Sequence, residues 1–145
     1  MPEPDTPMND TPAIFAGLLA DWGEGLLRCQ IDNPSDSSRH GAFHCPACAR
    51  LHGRCIDAVH PFLHLARKTG NRHYIDAARA LFAWAEANTS QADGSWTVVP
   101  EPDTWRGITI FNAIALAETL HHHGDLLDAA TRTAWTDRLR VAAAY

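Results

Sequence analysis

The sequence predicts an all-α fold built from antiparallel helical hairpins. Three observations carry that prediction. Apolar residues recur at three- and four-residue spacing in about five segments, and strand-like alternation is nearly absent. Two connections are short, which makes consecutive helices antiparallel neighbours. The chain has 145 residues, the size of one domain, and 46% of them are apolar, enough to bury a core.

The first ten residues, MPEPDTPMND, are acidic and proline-rich and are expected to be disordered, leaving residues 11–145 as the folded part. They lack the basic start and apolar centre of a signal peptide, so a cytoplasmic protein with reduced thiols is the expectation. The first helix is expected over Thr11–Gln30, with Ile14, Leu18, Leu19, Trp22 and Leu26 on one face and Pro12 in the first turn. A polar loop follows. The second covers Ala49–Lys68, with Pro61 predicting a kink near Asp57 and Gly70 a C′ residue. The third, Arg72–Asn88, is capped by Asn71 and one-sided, with Arg72, Asp76, Arg79 and Glu86 as its wet stripe. The fourth, Trp105–His122, is apolar on nearly all sides and is expected to be buried. The fifth, Leu127–Tyr145, is again one-sided.

The tight turns KTGNR and HHHGD alternate with long loops near 31–47 and 90–104, which places both long loops at one end. The units starting near residues 49 and 105 read as two copies of one helical hairpin, roughly 50–55 residues apart. The net charge of −5, without a basic block, argues against nucleic acid as partner. No apolar run has the length of a membrane span, so no membrane partner is expected.

Three of the four cysteines sit in HCPACARLHGRC, residues 44–55. Cys45, Cys48, His52 and Cys55 have a spacing that can close a tetrahedral zinc site, which would be structural because protein ligands fill it. His44 and Cys29 are alternative ligands. A redox couple and a pair of small buried thiols remain the rival readings.

The segments TGNRHYIDAARALFAWAEANTSQADGSW and WRGITIFNAIALAETLHHHGDLLD repeat an inner helix, a short turn, an outer helix and a tryptophan opening the next inner helix. The pattern resembles the α/α-toroids of uronate-polysaccharide lyases, of the heparinase and alginate lyase kind, and of unsaturated glucuronyl hydrolases. The resemblance implies part of an (α/α) toroid that continues beyond the C-terminus. It also implies a carbohydrate-active enzyme degrading an acidic, uronate-containing poly- or oligosaccharide, lyase preferred over glycoside hydrolase, of which this piece holds less than the full catalytic set. A non-catalytic helical-repeat scaffold is the alternative.

In such toroids the cleft lies at the N-termini of the inner helices, where free N–H groups and the helix dipole suit carboxylates. Arg54 and Arg106 are the candidate clamps for a uronate carboxylate, and Trp96 and Trp105 the candidate sugar platforms. His52 is the candidate base, and Asp57 and Asp103 are the carboxylates a hydrolase would use. Simpler roles compete at each position: Arg106 paired with Asp103 or Glu101, Trp96 as a plug beneath its loop, and Asp103 or Thr104 as a helix cap.

Overall fold

A computed structural model describes residues 11–145, the side chains of residues 53–55 excepted. The expected disorder of residues 1–10, the Arg54 clamp and the Cys55 ligand therefore lie outside the described residues. Five α-helices follow one another: α1 (Thr11–Cys29), α2 (Val59–Thr69), α3 (His73–Asn88), α4 (Ile108–His123) and α5 (Ala129–Ala144). A 3-10 segment, Gly53–Ala58, leads into α2, and a second, Gly124–Leu126, follows α4. Among the described residues there are only isolated β-bridges, so the expected all-α class holds. No helix among them is long and apolar enough to cross a membrane.

The hairpin turns follow local chemistry. Gly70 ends α2 at φ 73°, its N–H bonded to the Ala66 carbonyl, as a left-handed C-cap requires. The Asn71 side chain accepts the His73 N–H at 3.0 Å, as expected of a cap. Asp128 caps α5 by accepting the Thr131 N–H at 2.8 Å. The second helix departs from expectation. It begins at Val59, so Pro61 falls in its first turn, where a missing N–H breaks no hydrogen bond and no kink is needed. Nor do Asp103 or Thr104 cap α4, which opens after Gly107 with no side-chain cap.

α2 packs on α3, α4 and α1, and α4 packs on α5. Phe62 meets Phe43 and Tyr74 in the centre, and Phe82 of α3 stacks on Trp135 of α5 at 4.8 Å. The third helix is not one-sided. Trp84 and Ile75 join Tyr74, Ala78, Leu81, Phe82 and Ala85 in the core, because the first long loop covers a second face of α3. Trp84 Nε1 donates to the Ser38 carbonyl at 2.9 Å, and Gln30 Nε2 donates to those of Gly41 and Ala77. At Gly41, φ 86°, a Cβ would lie 2.2 Å from the Ala80 carbonyl oxygen, so only glycine lets the loop approach that helix.

Two further faces differ from expectation. α1 turns Leu19, Gly23 and Leu26 inward, with Gly23 against Leu65, and leaves Ile14, Phe15, Leu18 and Trp22 exposed. α4 buries a single stripe, Ile108, Thr109, Asn112, Leu116, Thr119 and His123, while Ile110 and Ile114 stay more than half exposed. The apolar surround of α4 is real in sequence, but the described residues cover only one side of it.

Two polar clasps hold the hairpins together. Arg138 of α5 donates through Nε to both Glu86 carboxylate oxygens of α3, at 3.0 and 2.8 Å. Its other nitrogens reach the Gly94 and Ser95 carbonyls and the Ser90 hydroxyl. The guanidinium lies 3.5 Å from the Trp96 ring centroid, and Trp96 Nε1 donates to Glu86 at 2.7 Å. Glu86, assigned by sequence to a wet stripe, is thus mostly buried, and burial pushes its carboxyl up while Arg138 opposes the shift. In the second clasp, Arg67 of α2 bonds the His122 carbonyl and Asp125 and donates through Nε to His123 Nδ1 at 3.1 Å. A guanidinium cannot accept a proton, so this bond holds His123 neutral with its hydrogen on Nε2.

Removing Arg138 leaves a mostly buried carboxylate with no counter-charge and the Trp96 N–H as its remaining donor. Arg138→Ala is expected to cost about 3–5 kcal/mol in urea unfolding, and Arg138→Lys to restore only part of it, because an ammonium can neither span the carboxylate and the Gly94 and Ser95 carbonyls together nor lie flat on Trp96. The second clasp sets a pH dependence. Burial, with His60 and Arg67 adding, lowers the His123 pKa from 6.5 to about 4. The unfolded chain then binds more protons than the folded one across that window, so stability falls as pH drops from 6.5 to about 4. Thermal melts across this range are expected to show that loss, and His123→Gln to reduce its slope. His60 and His64, also lowered by burial, add in the same direction, and the raised Glu86 carboxyl opposes them.

Candidate functional site

The second long loop delivers Arg106 to the start of α4. Thr109 is the joint: its hydroxyl accepts the Trp96 N–H at 2.9 Å and donates to the Arg106 carbonyl at 2.7 Å. The Arg106 guanidinium then meets Asp93 at 2.6 Å and Asp103 at 3.8 Å. Asp93 is held in turn by the Ser95 hydroxyl at 2.6 Å and the Ser95 N–H at 3.0 Å. Those two bonds, with Arg106 adding, keep its carboxyl below the usual range. Arg106 therefore does pair within its loop, but with Asp93 rather than mainly with Asp103, and not with Glu101. Roughly a third of its side chain remains open to solvent.

The two tryptophans separate. Trp105 packs over Gly107, where a Cβ would lie 2.5 Å from its ring, and is 55% exposed, so one apolar face is available beside Arg106. Trp96 is wholly buried, with Arg138 on its ring. It is the plug beneath the loop, and a sugar cannot reach it as placed. Asp103 is almost fully exposed and sits at φ 63°, a left-handed conformation that fits a tight turn. Asp57 lies elsewhere. With His60, Pro61, Phe111, Ile114 and Glu118 it lines an open cleft of ≈ 260 Å³ between the start of α2 and the flank of α4. Glu118, expected inside a buried helix, is half-exposed and pairs with His122 at 3.2 Å. Asn112 is buried on α4, and neither end of its amide has a protein hydrogen-bond partner.

The cysteine segment folds as a knuckle rather than as the first turns of a helix. The Cys45 N–H bonds the Arg50 carbonyl, the Ala49 N–H bonds the Cys45 carbonyl, and an antiparallel bridge joins His44 to Leu51. Ala49 takes φ 54° to complete the reversal, which ends any helix that would start there. The N–H groups of Cys48 and Ala47 point at the Cys45 sulfur and lower its thiol pKa. Cys48 Sγ lies 3.0 Å from His52 Nε2. The ligand atoms of Cys45, Cys48 and His52 all fall within 4.8 Å of one another. The knuckle touches the second long loop where Arg50 meets Glu101 at 3.4 Å.

Of the residues singled out by sequence, the structure gathers Asp103, Trp105 and Arg106 at one place and Cys45, Cys48 and His52 at another, and sets Asp57 apart. Sequence reasoning missed Asp93, which positions Arg106, and His60, which faces the α4 flank. The DGS tripeptide was the available signal for the first, since an Asp two residues before a Ser is a ready acceptor for its N–H.

The ulvan lyase N-terminal domain family matches residues 19–145. A broad-specificity ulvan lyase from Formosa agariphila is 54% identical over 132 residues, covering 91% of this chain and 21% of that protein. The chain thus spans about a fifth of the length of the curated relative it matches. No solved structure matches it. On the family match, which takes in most of the described residues, the chain belongs to the ulvan lyase N-terminal domain family.

Proposed function

We propose that this chain is the N-terminal helical part of a polysaccharide lyase that cleaves an acidic, sulfated, uronate-containing polysaccharide of the ulvan type. The family match together with the 54% identity to a broad-specificity ulvan lyase carries the reading. A lyase must neutralise the uronate carboxylate, remove the proton at C5 and protonate the leaving oxygen. Arg106 suits the neutralising role. It stands at the start of α4, where the dipole also favours an anion, and Asp93 fixes its orientation. An incoming carboxylate takes the open side of the guanidinium while Trp105 supports the sugar ring. His52 stands with Cys48 at 3.0 Å rather than with Asp103, Trp105 and Arg106, so this reading assigns the proton-transfer groups to the longer polypeptide. A glycoside hydrolase is disfavoured because Asp57 and Asp103 lie in different places, with no pairing between them.

The toroid belongs to the same proposal. The exposed Ile110 and Ile114 on α4 support a further helical hairpin packing there in the longer protein, completing the enclosure begun by α2 and α4. The matching relative, with about five times the matched length, has ample chain for it.

The test uses the longest polypeptide containing this chain, incubated with ulvan. Elimination creates unsaturated uronate ends that absorb in the ultraviolet, whereas hydrolysis yields reducing ends without that absorbance. Absorbing ends are the expected result, and reducing ends alone, or binding without cleavage, would sink the lyase reading. Arg106→Ala is expected to lower kcat/KM by about 10- to 100-fold, the worth of hydrogen bonds to a charged group. An unchanged kcat/KM removes Arg106 from the site.

A further inference from the structure

The knuckle at residues 44–52 has no role in the proposed polysaccharide chemistry, yet it brings two thiols and an imidazole to one point. We propose that Cys45, Cys48 and His52 hold one zinc ion that locks the exit of the first long loop against the second. The donor set is two soft thiolates and an imidazole, the chemistry of zinc rather than of calcium or magnesium. Zinc–sulfur and zinc–nitrogen bonds of ordinary length at tetrahedral angles put ligand atoms about 3.6–3.8 Å apart. The three ligand atoms, all within 4.8 Å of one another, need only small rotations to reach that spacing. The 3.0 Å contact between Cys48 Sγ and His52 Nε2 marks the point of closure. There a hydrogen-bond contact closes the pair, and zinc binding would replace it while the thiol protons of Cys45 and Cys48 pass to solvent.

The backbone is arranged for the same ion. The N–H groups of Ala47 and Cys48 aim at the Cys45 sulfur, the outer-shell donors that a metal-bound thiolate calls for. They reach it because Ala49 turns left-handed at φ 54° and the chain doubles back through the Cys45–Arg50 hydrogen bond. An alanine held in that region is strained unless something over-determines the turn. The two rival readings fit less well. Thiols that pack a core are buried, but Cys48 is exposed and Cys45 only half-buried. A redox couple would accept an imidazole beside one thiol, but it makes no use of three ligand atoms gathered within reach of one ion. Three ligands from one short segment leave a fourth position to be completed by a water or a further side chain.

The ion acts structurally. The knuckle buries little of its own apolar surface, and Leu51 is only half-covered. A metal supplies the order that such a segment cannot draw from a core. The proposal is independent of the lyase reading, since metal content is measured without substrate.

The experiment is elemental analysis of the full chain purified under reducing conditions, followed by cobalt substitution. About one equivalent of zinc is expected, and the cobalt form is expected to show thiolate-to-metal charge-transfer absorbance with tetrahedral visible bands. Cys48→Ser and His52→Gln should each lower zinc content at least tenfold, whereas His121→Ala, in the other histidine cluster, should leave it unchanged. Should the variants fail to fold, cobalt titration of the chelator-treated natural chain still decides. Absence of the charge-transfer band would overturn the proposal. So would zinc that survives Cys48→Ser and His52→Gln, or zinc lost on His121→Ala.

Discussion

The contact of Arg138 with Glu86 and Trp96 is the constraint on which the arrangement of the second long loop depends. One guanidinium joins α5 to α3 and also accounts for the carbonyls of Gly94 and Ser95 and the hydroxyl of Ser90. Without it, the Gly94 carbonyl would lose this partner and that of Ser95 would keep the Gln91 N–H. With it, the loop can run inward far enough to bury Trp96, and the Trp96 N–H can reach Thr109. Thr109 then sets the Arg106 carbonyl, and Arg106 reaches Asp93. A charge network in the interior therefore determines where the cation at the start of α4 points. Burial of the pair costs free energy, visible in the raised Glu86 carboxyl, and the surrounding hydrogen bonds offset it.

Much of the helix map was legible because its signals are local. Gly70, Asn71 and the spacing of Tyr74, Ala78 and Leu81 act within one turn of the chain, and the structure keeps each of them. The errors share one cause: the deciding partner is distant in sequence. Periodicity made Glu86 a surface residue because Arg138 stands 52 positions away. It left Trp84 outside the apolar face because the covering loop enters 46 residues earlier. It ran a helix through Ala49 because nothing local announces the bridge from His44 to Leu51. At the site, residue types were legible and partnerships were not. Arg106 and Trp105 stand out as a cation beside an indole at a helix start, but the choice of Asp93 as counter-ion follows from a loop conformation that Ser95 and Thr109 create together.

The exposed side of α4 shows how an apolar pattern can be right about a residue and wrong about its surroundings. Ile110 and Ile114 are more apolar than a surface helix needs, and the described residues leave both open. Helices that are apolar all round are covered all round when the fold is complete. α1 presents a second such face, with Ile14 and Trp22 outward. Both faces carry residues of the type that hairpins in stacked arrays bury against neighbours rather than against themselves.

Both long loops must hold a definite conformation over helix starts, where their own apolar content is low. The structure meets this demand in three ways. Trp84 and Gly41 press the first loop onto α3, the one with a hydrogen bond and the other by close approach. Arg138 and Trp96 pull the second loop into the core from beneath. Between the two, the knuckle of Cys45 and Cys48 meets the second loop through the exposed pair Arg50 and Glu101. An exposed ion pair contributes little and is screened by salt, so that junction is the least secured of the three. Rigidity there has to come from within the knuckle, and the convergence of Cys45, Cys48 and His52 is the feature able to provide it.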